Sequence, residues 1–101
     1  MRGIVWGLTF NDAKIKLLDI EEKYRPYTDI AAKYNSKSTY EIIFENGDRW
    51  IACEASDRSR GHKCNISYID SRIPNDIVDN IIKKCTIAEP YHAITYFKVE
   101  N

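Results

Sequence analysis

Residues Ile42–Pro74 read IIFENGDRWIACEASDRSRGHKCNISYIDSRIP. Two β-rich segments, Thr39–Glu45 and Asp48–Ala55, flank Asn46-Gly47. Asn-Gly between such segments predicts a hairpin with a type I′ turn, because both residues tolerate positive φ. Strand alternation then puts Tyr40, Ile42 and Phe44 on one face, extended across the pair by Trp50 and Ala52. Ser56–Lys63 follows as a polar loop with Arg58, Arg60, His62 and Lys63 around Gly61. Cys64–Asp70 returns to a strand carrying Ile66, Tyr68 and Ile69, and Ser71 and Arg72 turn the corner. Pro74 suits the first residue of a helix. Asp76 and Asp79 in its early turns and Lys83 and Lys84 near its end complement the helix dipole. Ile77, Val78, Ile81, Ile82 and Cys85 form its apolar stripe.

On the N-terminal side, Arg2–Trp6 is an apolar run suited to a first strand. Gly7–Asn11 makes a turn in which Thr9 or Asn11 caps the next helix. Over Asp12–Tyr24 the residues Ala13, Leu17, Ile20 and Tyr24 recur at helical spacing, with Leu18 beside them. Lys14, Lys16, Asp19, Glu22 and Lys23 form the solvated face, and Pro26 ends the helix. Tyr27–Tyr34 reads as a strand or edge strand, residues 35–38 as a polar turn, and Tyr91–Val99 as a last strand. The order β-α-β-β-β-β-α-β predicts one small α/β domain over residues 1–101. Its mixed sheet has a central β-hairpin and is covered by two helices.

The bulk numbers fit that size. A chain of 101 residues, 44% apolar and 30% charged, makes one modest core. Lys+Arg and Asp+Glu both total 15, for a formal net charge of zero, which argues against a bulk polyanion binder and leaves room for a local basic patch. The sequence shows no membrane span and no signal-peptide layout, so a cytoplasmic protein is expected. Cys53, Cys64 and Cys85 have neither zinc-site nor disulfide-framework spacing and read as three thiols of a reducing compartment.

The segment from Phe44 to Cys85, FENGDRWIACEASDRSRGHKCNISYIDSRIPNDIVDNIIKKC, resembles the Walker B region of the phage terminase large subunit, the ATPase that packages viral DNA. In that family a hairpin leads to an Arg-Gly loop, then to an apolar strand ending in Asp-Glu, then to a helix. Arg60-Gly61 and Ile66-Ser67-Tyr68-Ile69-Asp70 hold those places here. The earlier IVWGLTFNDAKIKLLDIEEKY (residues 4–24) is similar, more weakly, to the strand and helix that precede the hairpin in the same fold. The departures are as informative as the matches. No Gly-x-x-x-x-Gly-Lys-Ser/Thr loop exists to cradle phosphates. Ser71 follows Asp70 where the pattern implies a catalytic Glu, and a hydroxyl at neutral pH is no substitute for a carboxylate base. The nuclease half of a terminase is also missing. The resemblance therefore implies a vestigial Walker B pair, Asp70 and Ser71, without turnover.

Two readings of Asp70 stand beside each other: a weak Mg²⁺ ligand, or a cap for the turn or for the helix near Pro74. His62 and His92 sit in different elements and lack the further ligands of a zinc site. Ser67 and Ser71 lack a Gly-x-Ser-x-Gly frame. The loop residues Arg58, Arg60, His62 and Lys63 read either as a contact for phosphate or an acidic protein surface, or as a solvated connector. The many Tyr residues suit a protein interface. The expectation is a non-enzymatic, cofactor-free, phage-type protein that docks on a larger protein target, a nuclease or motor, as anti-CRISPR inhibitors do. A nucleic-acid-binding accessory protein working through the basic loop, and a degenerate ATPase fragment, are the alternatives.

Overall fold

A strand buried along nearly its whole length needs neighbours on both edges and both faces. The N-terminal strand β1 (Arg2–Gly7) is such a strand: every residue after Arg2 is buried. The computed structural model describes residues 1–56, 61–87 and 93–99. In it β1 lies inside a six-stranded sheet. It pairs in parallel with β4 (Arg49–Glu54) on one side and with β5 (Ile66–Asp70) on the other. Beyond β5 lies β6 (Ala93–Phe97), also parallel. Beyond β4 lie β3 (Tyr40–Phe44) and then β2 (Ile30–Asn35), both pairs antiparallel. The sheet order is β2-β3-β4-β1-β5-β6. Helix α1 (Phe10–Tyr24) follows β1, and a second helix, α2, spans residues 75–85 between β5 and β6. The chain is thus a single α/β domain with a mixed sheet and two helices.

One helix covers each face. On the first face α1 lays Ala13, Leu17 and Ile20 against Val5, Ile42, Phe44, Trp50 and Ala52. On the second face α2 lays Val78, Ile81, Ile82 and Cys85 against Ile4, Trp6 and Ile69. Tyr40, Ile42, Phe44, Trp50 and Ala52 share the α1 face, as their alternation requires. Gly7 lets α1 begin almost directly after β1. A Cβ there would stand 2.6 Å from the Ala13 nitrogen and would collide with the Thr9 carbonyl oxygen. Thr9 is the cap, its Oγ1 accepting the Asp12 N–H at 3.1 Å, so the helix starts at Phe10 rather than Asp12.

Several boundaries differ from the sequence reading, each for a local reason. The N–H groups of Tyr27 and Thr28 bond back to the Tyr24 carbonyl at 2.9 and 3.0 Å, which delays β2 to Ile30. The turn at Asn46-Gly47 is not type I′. Gly47 alone has a positive φ, +96°. The N–H of Gly47 donates to the Phe44 carbonyl at 3.0 Å, and that of Phe44 to the Asp48 carbonyl at 2.9 Å. This is a three-residue loop with glycine at the bulge. Asn46 needs no positive φ because its Oδ1 accepts the Asp48 N–H at 2.9 Å. Strand β5 begins at Ile66, since Cys64 forms an isolated bridge with Thr86 instead. Pro74 caps α2 rather than entering it. The helix runs as Asn75–Ile77, Val78–Ile82 and Lys83–Cys85, the middle segment with wide π-type bonding. That wide turn buries the consecutive residues Ile81 and Ile82 together. Residues 91 and 92, expected in the last strand, lie outside the described part. No helix among the described residues is long and apolar enough to cross a membrane.

Candidate functional site

Neighbouring strands β1 and β5 send their chains to opposite faces, β1 to α1 and β5 to α2. In an open α/β sheet this divergence leaves a crevice beyond the carboxyl ends of the strands, where ligands bind. Asp70 is the last residue of β5 and is completely buried there. Its Oδ2 accepts the Leu8 N–H at 3.2 Å and the Arg72 guanidinium at 2.6 Å. Its Oδ1 accepts the Arg72 backbone N–H and Nε, both at 3.0 Å. A carboxylate has about four lone-pair sites, and here four donors from the same chain occupy them. Burial pushes the Asp70 carboxyl upward, but the Arg72 and Leu8 hydrogen bonds outweigh it and hold the group below the usual carboxylate range.

Arg72 reaches further, to Asp12 Oδ2 in the first turn of α1, and the Thr9 hydroxyl donates to the same oxygen at 3.0 Å. Its hydrogen bonds to Asp70 and then Asp12 raise the guanidinium further above its ordinary value. The network Asp70–Arg72–Asp12–Thr9 therefore ties the ends of β1 and β5 to the start of α1. Asp70 caps the turn through the Arg72 N–H and does not cap α2, whose N-terminus has no side-chain cap. Ser71 is exposed, and its N–H donates to the Phe97 carbonyl at 2.9 Å. Arg72 and Asp12 were not among the sequence candidates. An Arg two residues after an Asp is a weak sign of such a fork, and nothing local links Asp12 to a residue sixty positions away.

The basic loop divides. Arg58 and Arg60 lie outside the described residues. His62 is half-buried, with Nε2 3.9 Å from Cys53 Sγ and its ring edge-on to Trp6 at 6.3 Å. Lys63 is exposed and donates to the Lys84 carbonyl at 3.5 Å, near the C-terminal end of α2. Neither joins the Asp70 network. His92 is also outside the described part. Among the described residues no group of three or more His, Cys, Asp or Glu side chains is placed to hold a metal ion. Beside Asp12, a cleft of about 500 Å³ runs between α1 and the end of β6, lined by Ile15, Lys16, Asp19 and Phe97. Lys16 lies over the Phe97 and Tyr68 rings there, at 5.6 and 5.8 Å from their centroids. Comparison of the chain with protein-family models, with curated proteins and with solved structures returns no match.

Proposed function

We propose that this is a non-catalytic binding protein of the phage type, which docks on a larger protein and acts as an inhibitor or decoy of a nucleic-acid-handling machine such as a host defence nuclease. The observation that carries this reading is the state of Asp70. The carboxylate at the strand end, where a nucleotide-hydrolysing relative would hold its metal, spends its whole acceptor capacity on Leu8 and Arg72. A metal ion or a water nucleophile would have to displace Arg72 first. The resemblance of residues 44–85 to a Walker B region without its phosphate loop or catalytic Glu points the same way.

A surface suited to docking lies on the second face, on the antiparallel side of the sheet, where Ile51 adjoins the core under α2. Ala32 and Tyr34 of β2, Glu41 and Ile43 of β3, and Arg49 and Ile51 of β4 alternate onto that face. Tyr34 is 53% exposed, and Arg49 and Glu41 pair at 3.1 Å. An aromatic and three aliphatic side chains around one ion pair are the usual makings of a protein interface. The nucleic-acid alternative draws less support, because His62 packs inward and Lys63 serves the end of α2.

The test is a pull-down of tagged protein from host lysate, with and without infection, at low and at high salt. A captured protein that survives high salt, is lost with Tyr34→Lys and is kept with a folded Asp70→Asn variant is the expected result. Recovery of nucleic acid alone, released at high salt, overturns the docking reading in favour of an accessory nucleic-acid binder.

A further inference from the structure

Trp6 and Cys53 stand side by side across the parallel pair β1–β4, both on the second face. After β4 the chain brings His62 back over them. The imidazole Nε2 lies 3.9 Å from Cys53 Sγ, and the ring meets the indole edge-on at 81°. Trp6 is completely buried, and its Nε1–H donates to Ser67 Oγ at 3.0 Å. The indole is therefore a fixed wall that sets the plane of the imidazole. Cys53 is half-buried, whereas Cys64 and Cys85 are buried. Cys53 and His62 both line a cavity of about 420 Å³ at the carboxyl end of β4, together with Lys37, Ser38 and Thr39 from the turn before β3. A thiol with an oriented imidazole at hydrogen-bonding range, opening on a cavity, is the arrangement that turns a cysteine into a nucleophile.

We propose that Cys53, with His62 as its proton acceptor, is a reactive thiol that undergoes exchange with small anionic disulfides. In the step, the Sγ proton passes to Nε2 and the Cys53 thiolate attacks one sulfur of the incoming disulfide. A new Sγ–S bond forms as the S–S bond breaks, and the departing thiolate takes the proton from Nε2. Cys53 is oxidised to a mixed disulfide, and half of the incoming molecule is reduced to a thiol. Cys64, with Sγ 3.2 Å from Ser67 Oγ, and Cys85 are both buried in the core of the second face, so neither stands ready to resolve the product. Among the described residues, three charged groups lie near the pair. Lys37 favours both the thiolate and a carboxylate-bearing disulfide. Glu54, next on the strand and lining the same cavity, opposes them. Lys63 beside His62 is turned to the Lys84 carbonyl. The inference is independent of the docking reading.

The experiment treats the intact protein with glutathione disulfide at several values between about pH 6 and 9, bracketing ordinary thiol ionisation. Peptide mass mapping identifies the modified cysteine. The expected result is modification at Cys53, at neutral pH about tenfold faster than in an unstructured peptide of residues 51–55. His62→Gln loses that advantage, and Lys37→Glu slows glutathione disulfide more than the neutral hydroxyethyl disulfide. Modification no faster than in the peptide, or a His62→Gln rate equal to that of the parent, overturns the proposal. Should His62→Gln fail to fold, the parent's pH profile decides. A rate that rises only through the ordinary thiol range near about 8.5 overturns it, and a rate already high at neutral pH supports it.

Discussion

Asp70 shows how one side chain can be structural where its position suggests chemistry. Its carboxylate is buried, and the four donors around it replace the water it lost. Removing it strands those donors. Asp70→Ala should cost about 2–4 kcal/mol, read from urea denaturation at neutral pH. The pH dependence has a definite sign. The folded group titrates below its unfolded value of about 3.9, so its contribution is complete above that value and is lost as pH falls through the lower folded one. The urea midpoint of the parent should therefore drop as pH falls below the ordinary carboxylate range, under about 4, and Asp70→Asn should lack that part of the drop. Arg72→Ala tests the same pair from the other side. It leaves a buried carboxylate without its counter-charge, so its deficit against the parent should be largest at neutral pH and shrink on acidification. A deficit constant with pH would mean that Arg72 acts by packing alone.

Among the elements, the join between β1 and α1 has the least tolerance. Gly7→Ala places a methyl group against backbone atoms of Thr9 and Ala13, which cannot yield without moving the helix off the sheet. The expected loss is about 3 kcal/mol or more, with α1 the first segment to lose amide-exchange protection. The periodic elements were legible in the sequence. Ala13, Leu17 and Ile20 marked the buried stripe of α1, and Tyr40, Ile42 and Phe44 marked the core face of β3. What escaped reading were features decided by single hydrogen bonds. The Asn46 side chain chose the turn type, and the Tyr24 carbonyl delayed β2. The π turn of α2 also left no periodic trace, because an inserted residue looks like ordinary helical spacing until the packing of both Ile81 and Ile82 is known. The Asp70–Arg72–Asp12 network was half visible. Asp70 stood out at the end of its strand with Arg72 two residues on, but Leu8 and Asp12 enter the network only through the tertiary meeting of β5 with the start of α1.

At the scale of the whole molecule, one helix per face cannot cover six strands, and the antiparallel side of the second face stays open around Tyr34. Because Tyr34 is 53% exposed and belongs to neither core cluster, Tyr34→Lys should leave the thermal midpoint within the small range of surface substitutions, about 0.5 kcal/mol, while abolishing partner capture. Thermal unfolding and the pull-down on the same preparation separate the two effects, and an equal loss of folding would remove Tyr34 from the surface argument. Composition and charge could not locate this face, since its residues come from three strands whose pairing only the fold reveals. The position of β1 carries a last consequence, for synthesis on the ribosome. The strand at the heart of the sheet is made before both of its partners, which begin at Arg49 and Ile66 and are the fourth and fifth of the six strands in chain order. Until Asp70 has left the exit tunnel, Ile4, Val5 and Trp6 have no lateral partner on the β5 side. The nascent chain therefore carries this strand, buried at every position after Arg2 in the finished fold, unsealed until β5 emerges, and chaperone binding to ribosome-held fragments should fall sharply only once β5 is out.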